Sequence, residues 1–480
     1  MVLVNGIKNI KLIDNINLMD FIQKITSEGG ELYLVGGTIR DRHYNKYFGT
    51  NISPKDYDLL VCKLDLDKLE QILIEFGNVK EVGKAFGIIT FRPNDSRVIG
   101  HDFDIALPRK EKSTGPGYRD FEIVSDPFIA IEEDLQRRDI TVNAIAYRLY
   151  DINEMLSQII NDEHVVDLFD GRDDIKNKII RSVGDPYKRL LEDPTRIMRA
   201  LRQSAQFNMR LYDDLRQAII QHSDLLKIII NSSPVRISEE LTRLLLTADC
   251  GNVLEFMFNE TNLFNLMDIN LDRDQINDIV QIFKNDTVKY HDNIRIKFSI
   301  LLKYSDIKKW VKKYELSAAP HYPKEGIKFL LMSQEGINML ENMETDFNEY
   351  HNLTNKLDET AMKEKEELLV ISMNKFIQIV DKNRDQIIND YLSLCLYNNS
   401  YNAHIPEIIK KCTDIVRTTA EVKLGGNILQ EKYGLKGKDI GKAKQWLFDE
   451  ITNQKVTNEI NQLEHHLKAC YIDTILVSGK

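Results

Sequence analysis

Apolar positions change their spacing partway along this 480-residue chain, and the change predicts its architecture. Between Asp20 and Tyr150, short apolar runs alternate with helical stretches. ELYLVGG (31–37), DYDLLVC (56–62), FGIITFRP (86–93) and HDFDIALPR (101–109) have the length and residue types of strands. DLDKLEQILIEFG (65–77) spaces Leu and Ile along one helix face. After Leu149 strand signals thin out. From Pro194 onward, TRIMRALRQSAQF, YDDLRQAIIQHSDLLKIII, SEELTRLLL and NIRIKFSILLKY place apolar residues three and four apart, the period of amphipathic helices. The expected fold is α+β: a mixed α/β head over 1–150, then a helical neck (151–250), body (251–400) and tail (401–480). No fixed-period repeat interrupts the pattern. The polar stretch from Lys356 to Lys365 is the nearest approach to a linker.

Composition narrows the class. No apolar run is long enough to span a bilayer, and charges break up the N-terminal segment where a signal peptide would need an apolar core. Five scattered cysteines without C-x-x-C spacing argue for a reducing cytoplasm and against a zinc ribbon or disulfide framework. The net charge of −10 leans away from a general nucleic-acid binder, although a local basic surface remains compatible with it.

The stretch from Leu32 to Val61 carries the densest chemistry. An apolar run breaks at Gly36-Gly37, continues through Arg40 and returns with Asp56-Tyr57-Asp58. Glycines let a backbone approach a phosphate, and Arg40 is placed to grip a triphosphate oxygen; a tight turn with a surface arginine fits the same residues. Asp56 and Asp58 are two apart, so on a strand their carboxylates share a face. Asp102 and Asp104 repeat that spacing, and either would supply a third carboxylate. Three converging carboxylates repel unless cations sit among them, which implies Mg²⁺; strand-end aspartates facing water are the plain alternative. In QRRDITVNAIAY, Arg138 precedes Asp139 and Asn143, which share a face if the segment is helical and so could read a ribose.

GGTIRD, DYD, RRDITVNAIAY, DLFDGRDDIKNKIIRSVGDP and LEDPTRIMRALRQSAQF follow one another in this order. Together they resemble the bacterial-type (class II) tRNA nucleotidyltransferases, the CCA-adding enzymes, in the superfamily shared with bacterial poly(A) polymerase. VRISEELTRLLL and the tail from Leu424 are similar to further parts of that family. The resemblance implies a polymerase-β-like nucleotidyltransferase head and template-independent addition of CCA to tRNA 3′ ends from CTP and ATP. It implies that Gly36, Gly37 and Arg40 hold the triphosphate and that Asp56 and Asp58 carry the metals. It selects Asp104 over Asp102, because DIALPR matches the family's register. Arg138, Asp139 and Asn143 would contact sugar and phosphate. Poly(A) addition, or addition of part of CCA, is the neighbouring alternative, and a catalytically idle RNA-binding protein is the more distant one.

The same resemblance makes LEDPTR the base-selecting segment. Asp193 accepts and Arg196 donates hydrogen bonds, as a Watson–Crick partner of C or A would, while Asp193 before Pro194 also suits a helix cap. Arg196, Arg199 and Arg202 form a basic stripe open to triphosphate or tRNA backbone. Gly171, between Asp170 and Arg172, suits a hinge or a plain turn. Lys423, Lys432, Lys436, Lys438 and Lys442 are candidate tRNA phosphate contacts in the tail. Two departures from the family stand out: Gln203 where an aromatic is usual, and a more polar segment between Arg40 and Asp56. His291-Asp292 lacks the partners of a metal-phosphohydrolase, and His465-His466 is expected to face solvent.

Overall fold

The computed structural model describes residues 19–54, 57–80, 87–98, 102–113, 121–284, 294–319, 419–453 and 455–472. Two compact units divide the chain. One holds residues up to Leu244 with Phe256–Met267, and the other holds Leu245–Glu255 and the residues from Asp268 onward. The stretch around Lys356–Lys365 and His291-Asp292 lie outside the described residues. Among the described residues no helix is long and apolar enough to cross a membrane.

The first unit is built on a seven-stranded sheet. Its strands are β1 (Glu31–Val35), β2 (Asp58–Cys62), β3 (Gly77–Lys80), β4 (Ile88–Pro93), β5 (Phe103–Ala106), β8 (Ile145–Leu149) and β9 (Val165–Asp167). A separate hairpin pairs β6 (Arg109–Ser113) with β7 (Phe121–Ser125). The sheet order is β3-β4-β5-β2-β1-β8-β9, antiparallel throughout except for the parallel pair β2 and β5. The four predicted strands are all present. β9 lies beyond the predicted end of the β signal, because three half-buried residues leave little pattern to read.

Helix α1 (Phe21–Ser27) starts with a capping box. Asp20 accepts from the Ile22 and Gln23 amides, and Gln23 answers through the Asp20 amide at 3.0 Å. The cap delivers Phe21 onto the sheet, edge-on to Phe91 at 5.1 Å and stacked near Phe103 at 6.3 Å. Both strand residues are fully buried. Because strands alternate, Thr90 and Asp104, their neighbours, turn to the opposite face. Tyr57 packs against Phe103 on the α1 side, ring centroids 5.6 Å apart.

Helix α2 (Gly37–Phe48) fills the segment that the sequence presents as polar and irregular. Its buried side is Thr38, Ile39, Arg40, Arg42 and His43, so the usual apolar stripe is missing. Arg42 donates to the carbonyls of Glu154 and Met155. His43 stacks on Tyr47 and is fully buried, and neither ring nitrogen has a partner among the described residues.

Beyond the sheet, α6 (Gly171–Lys176), α7 (Pro186–Glu192) and α8 (Thr195–Phe207) form the neck. The predicted helix 195–207 is present over that span and ends where Asn208 turns left-handed at φ 48°. The stretch 212–230, read as helical, forms two helices, Asp213–His222 and Leu226–Ser232, separated by a 3₁₀ turn at Ser223–Leu225. In the tail, Gly426–Tyr433, Lys438–Thr452 and Ile460–Leu467 pack around Leu424, Leu429, Ala443, Leu447, Leu463 and Leu467.

His43 gives the fold a pH signature. Burial, helped by Arg172 and Lys46, lowers its pKa to about 4, whereas an unfolded histidine titrates near about 6.5. Between those values the unfolded chain binds the extra proton, so stability rises with pH through that window. Urea unfolding of the wild type should gain up to about 3 kcal/mol from pH 4 to 6.5 through this residue. His43→Leu should flatten that part of the profile; an unchanged slope would show that His43 does not set it.

Candidate functional site

The turn between β1 and α2 is the centre of the site. Gly36 has φ 71° and ψ −131°, a region that side chains beyond hydrogen rarely enter. A Cβ built there would lie 3.4 Å from Arg138 Nη1 and 3.4 Å from Asp58 Oδ2, so a cation and an anion flank this backbone. No side chain caps α2, and the positive end of its helix dipole faces the turn. Such an end suits an anion.

Two carboxylates stand beside it. Asp58 on β2 and Asp104 on β5 are register partners across the parallel pair, and both are exposed. Thr90 on β4 completes the row and donates its hydroxyl to Asp104 Oδ1 at 2.9 Å. Asp102 is placed otherwise: Arg92 Nη2 donates to it at 2.9 Å and Lys80 lies 3.9 Å away. The register thus brings Asp104, not Asp102, to Asp58. Asp56 lies outside the described residues, and no group of three metal-ligating side chains occurs among those described. Two exposed carboxylates and a hydroxyl are hard oxygen donors, the chemistry that Mg²⁺ prefers.

Arg138 reaches the turn from a buried base. Its Nη1 donates to the Asn143 carbonyl at 3.2 Å, and its Nη2 to Asp134 Oδ2 at 3.3 Å. Asp134 is fully buried and also accepts from Arg137. Burial alone would raise its pKa, but Arg138 and Arg137 hold it below the usual range. The expected helix from Asp139 to Asn143 is instead a short 3₁₀ turn, Thr141–Asn143, leading into β8. Ile140 is extended ahead of β8, a strand buried at all but Arg148. Asn143 Nδ2 still meets Asp139 Oδ1 at 3.3 Å. Asp139 Oδ2 receives Arg199 Nε at 2.8 Å, and although burial opposes it, this pairing lowers the Asp139 pKa to about 2.

Arg40 differs most from its expected place. Its guanidinium lies 4.3 Å from the Phe207 ring centroid, pairs with Asp41 at 2.8 Å, and donates through Nη1 to Asn143 Oδ1 at 2.8 Å and Gln203 Oε1 at 2.9 Å. Burial disfavours its charge and Asp41 counters that. Its Nη2 is 3.4 Å from where a Gly37 Cβ would stand, so Arg40 supports the turn from beneath.

At the start of α8, Asp193 Oδ1 accepts from the Thr195 amide and hydroxyl, as a helix cap does, while Oδ2 accepts from Arg236 at 3.1 Å. Arg196 donates to Glu192 at 3.0 Å and to the Arg137 carbonyl at 3.0 Å. Arg202 pairs with Glu240 at 2.7 Å, so the basic stripe is neutralised along its length. Arg236, Asp134 and Thr90 carry contacts that the sequence reading did not single out. Arg236 sits in VRISEELTRLLL, and its pairing across helices has no local signal.

Gly171 is the first residue of α6, and a Cβ there would come 2.4 Å from the Thr141 carbonyl. Close packing, more than a hinge, requires glycine at this position. In the tail, Lys423 pairs with Glu459 and Lys432 with Glu464, both at 2.6 Å, and Lys442 lies 3.5 Å from Asp439. Lys436 and Lys438 are exposed. His466 does not face solvent as expected; it meets Glu450 at 2.9 Å and stacks on Trp446.

Residues 32–181 match the poly A polymerase head domain. The Multifunctional CCA protein of Nitrosococcus oceani is 33% identical over 218 residues, 45% of each chain. Poly(A) polymerase I of Salmonella typhi is 30% identical over 244 residues, 50% of this chain and 46% of its own. The chain therefore aligns with about half the length of these relatives. The Bacillus stearothermophilus CCA-adding enzyme in complex with CTP shares the fold, with a TM-score of 0.63 at 20% identity over 94% of this chain and 95% of that one.

The strained turn is directly testable. Gly36→Ala should cost about 1–3 kcal/mol in denaturant unfolding, from the backbone region that an L side chain rarely adopts. Wild-type stability in that variant would mean that the turn relaxes freely.

Proposed function

We propose that this chain is a template-independent nucleotidyltransferase that adds CCA to tRNA 3′ ends, taking CTP and ATP as donors. The observation that carries the reading is the row of Asp58 and Asp104 beside the Gly36-Gly37 turn, on a head that matches the poly A polymerase head domain. Asp58, Asp104 and, from the sequence, Asp56 would hold Mg²⁺, which supplies charge neutralisation at the phosphates and acidifies an attacking hydroxyl. The N-terminal end of α2 and the Arg138 guanidinium receive the triphosphate. In-line attack by the tRNA terminal hydroxyl on the α-phosphate forms the new phosphodiester and releases pyrophosphate. Asp139 and Asn143 stand on the sugar side.

Base choice falls to Asp193 and Arg196. Arg196 uses one N–H on each terminal nitrogen inside the protein, leaving one on each to donate. Each Asp193 oxygen keeps acceptor capacity beyond Thr195 and Arg236. A carboxylate accepting from an exocyclic amine and a guanidinium donating to a ring nitrogen fit C and A, whereas G and U present the reverse order. The neck thus selects, and the helical body and tail hold tRNA by shape and backbone, with Lys436 and Lys438 exposed for phosphate. A poly(A) polymerase activity is the second reading, supported by the relative from Salmonella typhi.

Incubation with Mg²⁺, each nucleotide in turn, and tRNAs ending before, within and after CCA separates these readings. Incorporation that stops after C, C and A supports the first, and a long A tail replaces it with the second. Asp58→Ala should abolish incorporation while tRNA binding in a gel shift stays near wild type; retained incorporation would remove Asp58 from the reaction.

A further inference from the structure

Gln203 lies one helical turn beyond Arg199 on α8, so both side chains leave the same face. Arg199 grasps Asp139 at 2.8 Å, and Gln203 Oε1 accepts from Arg40 Nη1 at 2.9 Å. Asn143 closes the circuit, accepting from Arg40 at 2.8 Å and donating to Asp139 at 3.3 Å. Five side chains from α2, the segment from Asp139 to Asn143 and α8 thus form one chain of four hydrogen bonds, and α8 itself closes it into a ring between Arg199 and Gln203. Gln203 is only 2% exposed, a buried amide whose oxygen serves a buried cation.

The structure assigns Gln203 as a positioning residue for nucleotide choice, a role that rests on the proposed function and extends it. The ring anchors α8 to the base of the Gly36-Gly37 turn. The same helix begins at Thr195, between Asp193 and Arg196, about 12 Å from Gln203 at 1.5 Å per residue. The ring therefore fixes the distance between the place where the triphosphate would bind and the side chains that would read the base. Removing the Gln203 acceptor leaves a buried N–H of Arg40 without its partner, and the helix or the arginine must shift to satisfy it. A shifted helix misplaces the base reader relative to a triphosphate held at the turn. The loss then falls on discrimination between bases more than on uptake of nucleotide.

The test uses the full chain, tRNA lacking CCA, and single-nucleotide incorporation of CTP, ATP, UTP and GTP, with thermal melts to establish folding. Gln203→Met nearly conserves volume and removes the amide acceptor. Gln203→Glu keeps an acceptor of the same reach and pairs with Arg40. In Gln203→Met, the ratio of kcat/KM for CTP over UTP, and for ATP over GTP, should fall about tenfold, the range of a lost oriented contact. Gln203→Glu should hold both ratios close to wild type. A folded Gln203→Met variant with wild-type ratios overturns the inference, as does a Gln203→Glu variant that loses discrimination. If the methionine variant does not fold, the glutamate variant decides alone, by retention or loss of the ratios. Wild-type protein that incorporates no nucleotide refutes the proposed function and this role with it. Wild-type incorporation alongside unchanged variants refutes this role only.

Discussion

Two carboxylates held opposite each other on neighbouring strands are the constraint from which the rest follows. The parallel register of β2 and β5 places Asp58 beside Asp104. Neither can turn inward, because their flanking residues are committed to the core: Leu59, Phe103 and Ile105 are buried, and Phe103 packs under Phe21 and Tyr57. Like charges opposite one another on a sheet are unfavourable. On the proposed function, a divalent ion between them would offset that repulsion.

The neighbouring positive groups are held with comparable firmness. Arg138 is fixed by buried Asp134 and by the Asn143 carbonyl, and Arg199 by Asp139. Burying such charges is costly unless they are paired and hydrogen-bonded, and here Arg138 has two partners and Arg199 pairs with Asp139. A guanidinium fixed before an anion arrives loses little freedom on meeting it, which is the advantage of a preorganised site. The same economy of motion extends to α8, which the buried ring around Arg40 ties to the turn.

Much of this was legible in the sequence where local pattern and final structure agree. The predicted strands, the helix at Leu66–Phe76 and the helix at Thr195–Phe207 follow directly from apolar spacing. The pairing of Asp58 with Asp104 was legible as a repeated motif, and strand register then separated Asp104 from Asp102. Helix α2 was hidden because its buried side is largely polar, with Arg40, Arg42 and His43 in place of an apolar stripe. Arg40 was read as a gripping side chain because nothing local announces Gln203, 163 residues away, as its partner. Asp139 to Asn143 was misread as helix because a four-residue spacing also fits a 3₁₀ turn that precedes a strand. Contacts made across the chain leave little trace in a single sequence; periodicity and adjacent motifs leave a clear one.

On the proposed function, Asp58 and Asp104 together hold the ion of nucleotidyl transfer. Crystals grown with Mn²⁺ and CTP, measured at the manganese absorption edge, test it most directly. An anomalous peak is expected within coordination distance of oxygens from both Asp58 and Asp104, beside the Gly36 turn. A bound nucleotide with the manganese elsewhere, or ligated by neither aspartate, would contradict it.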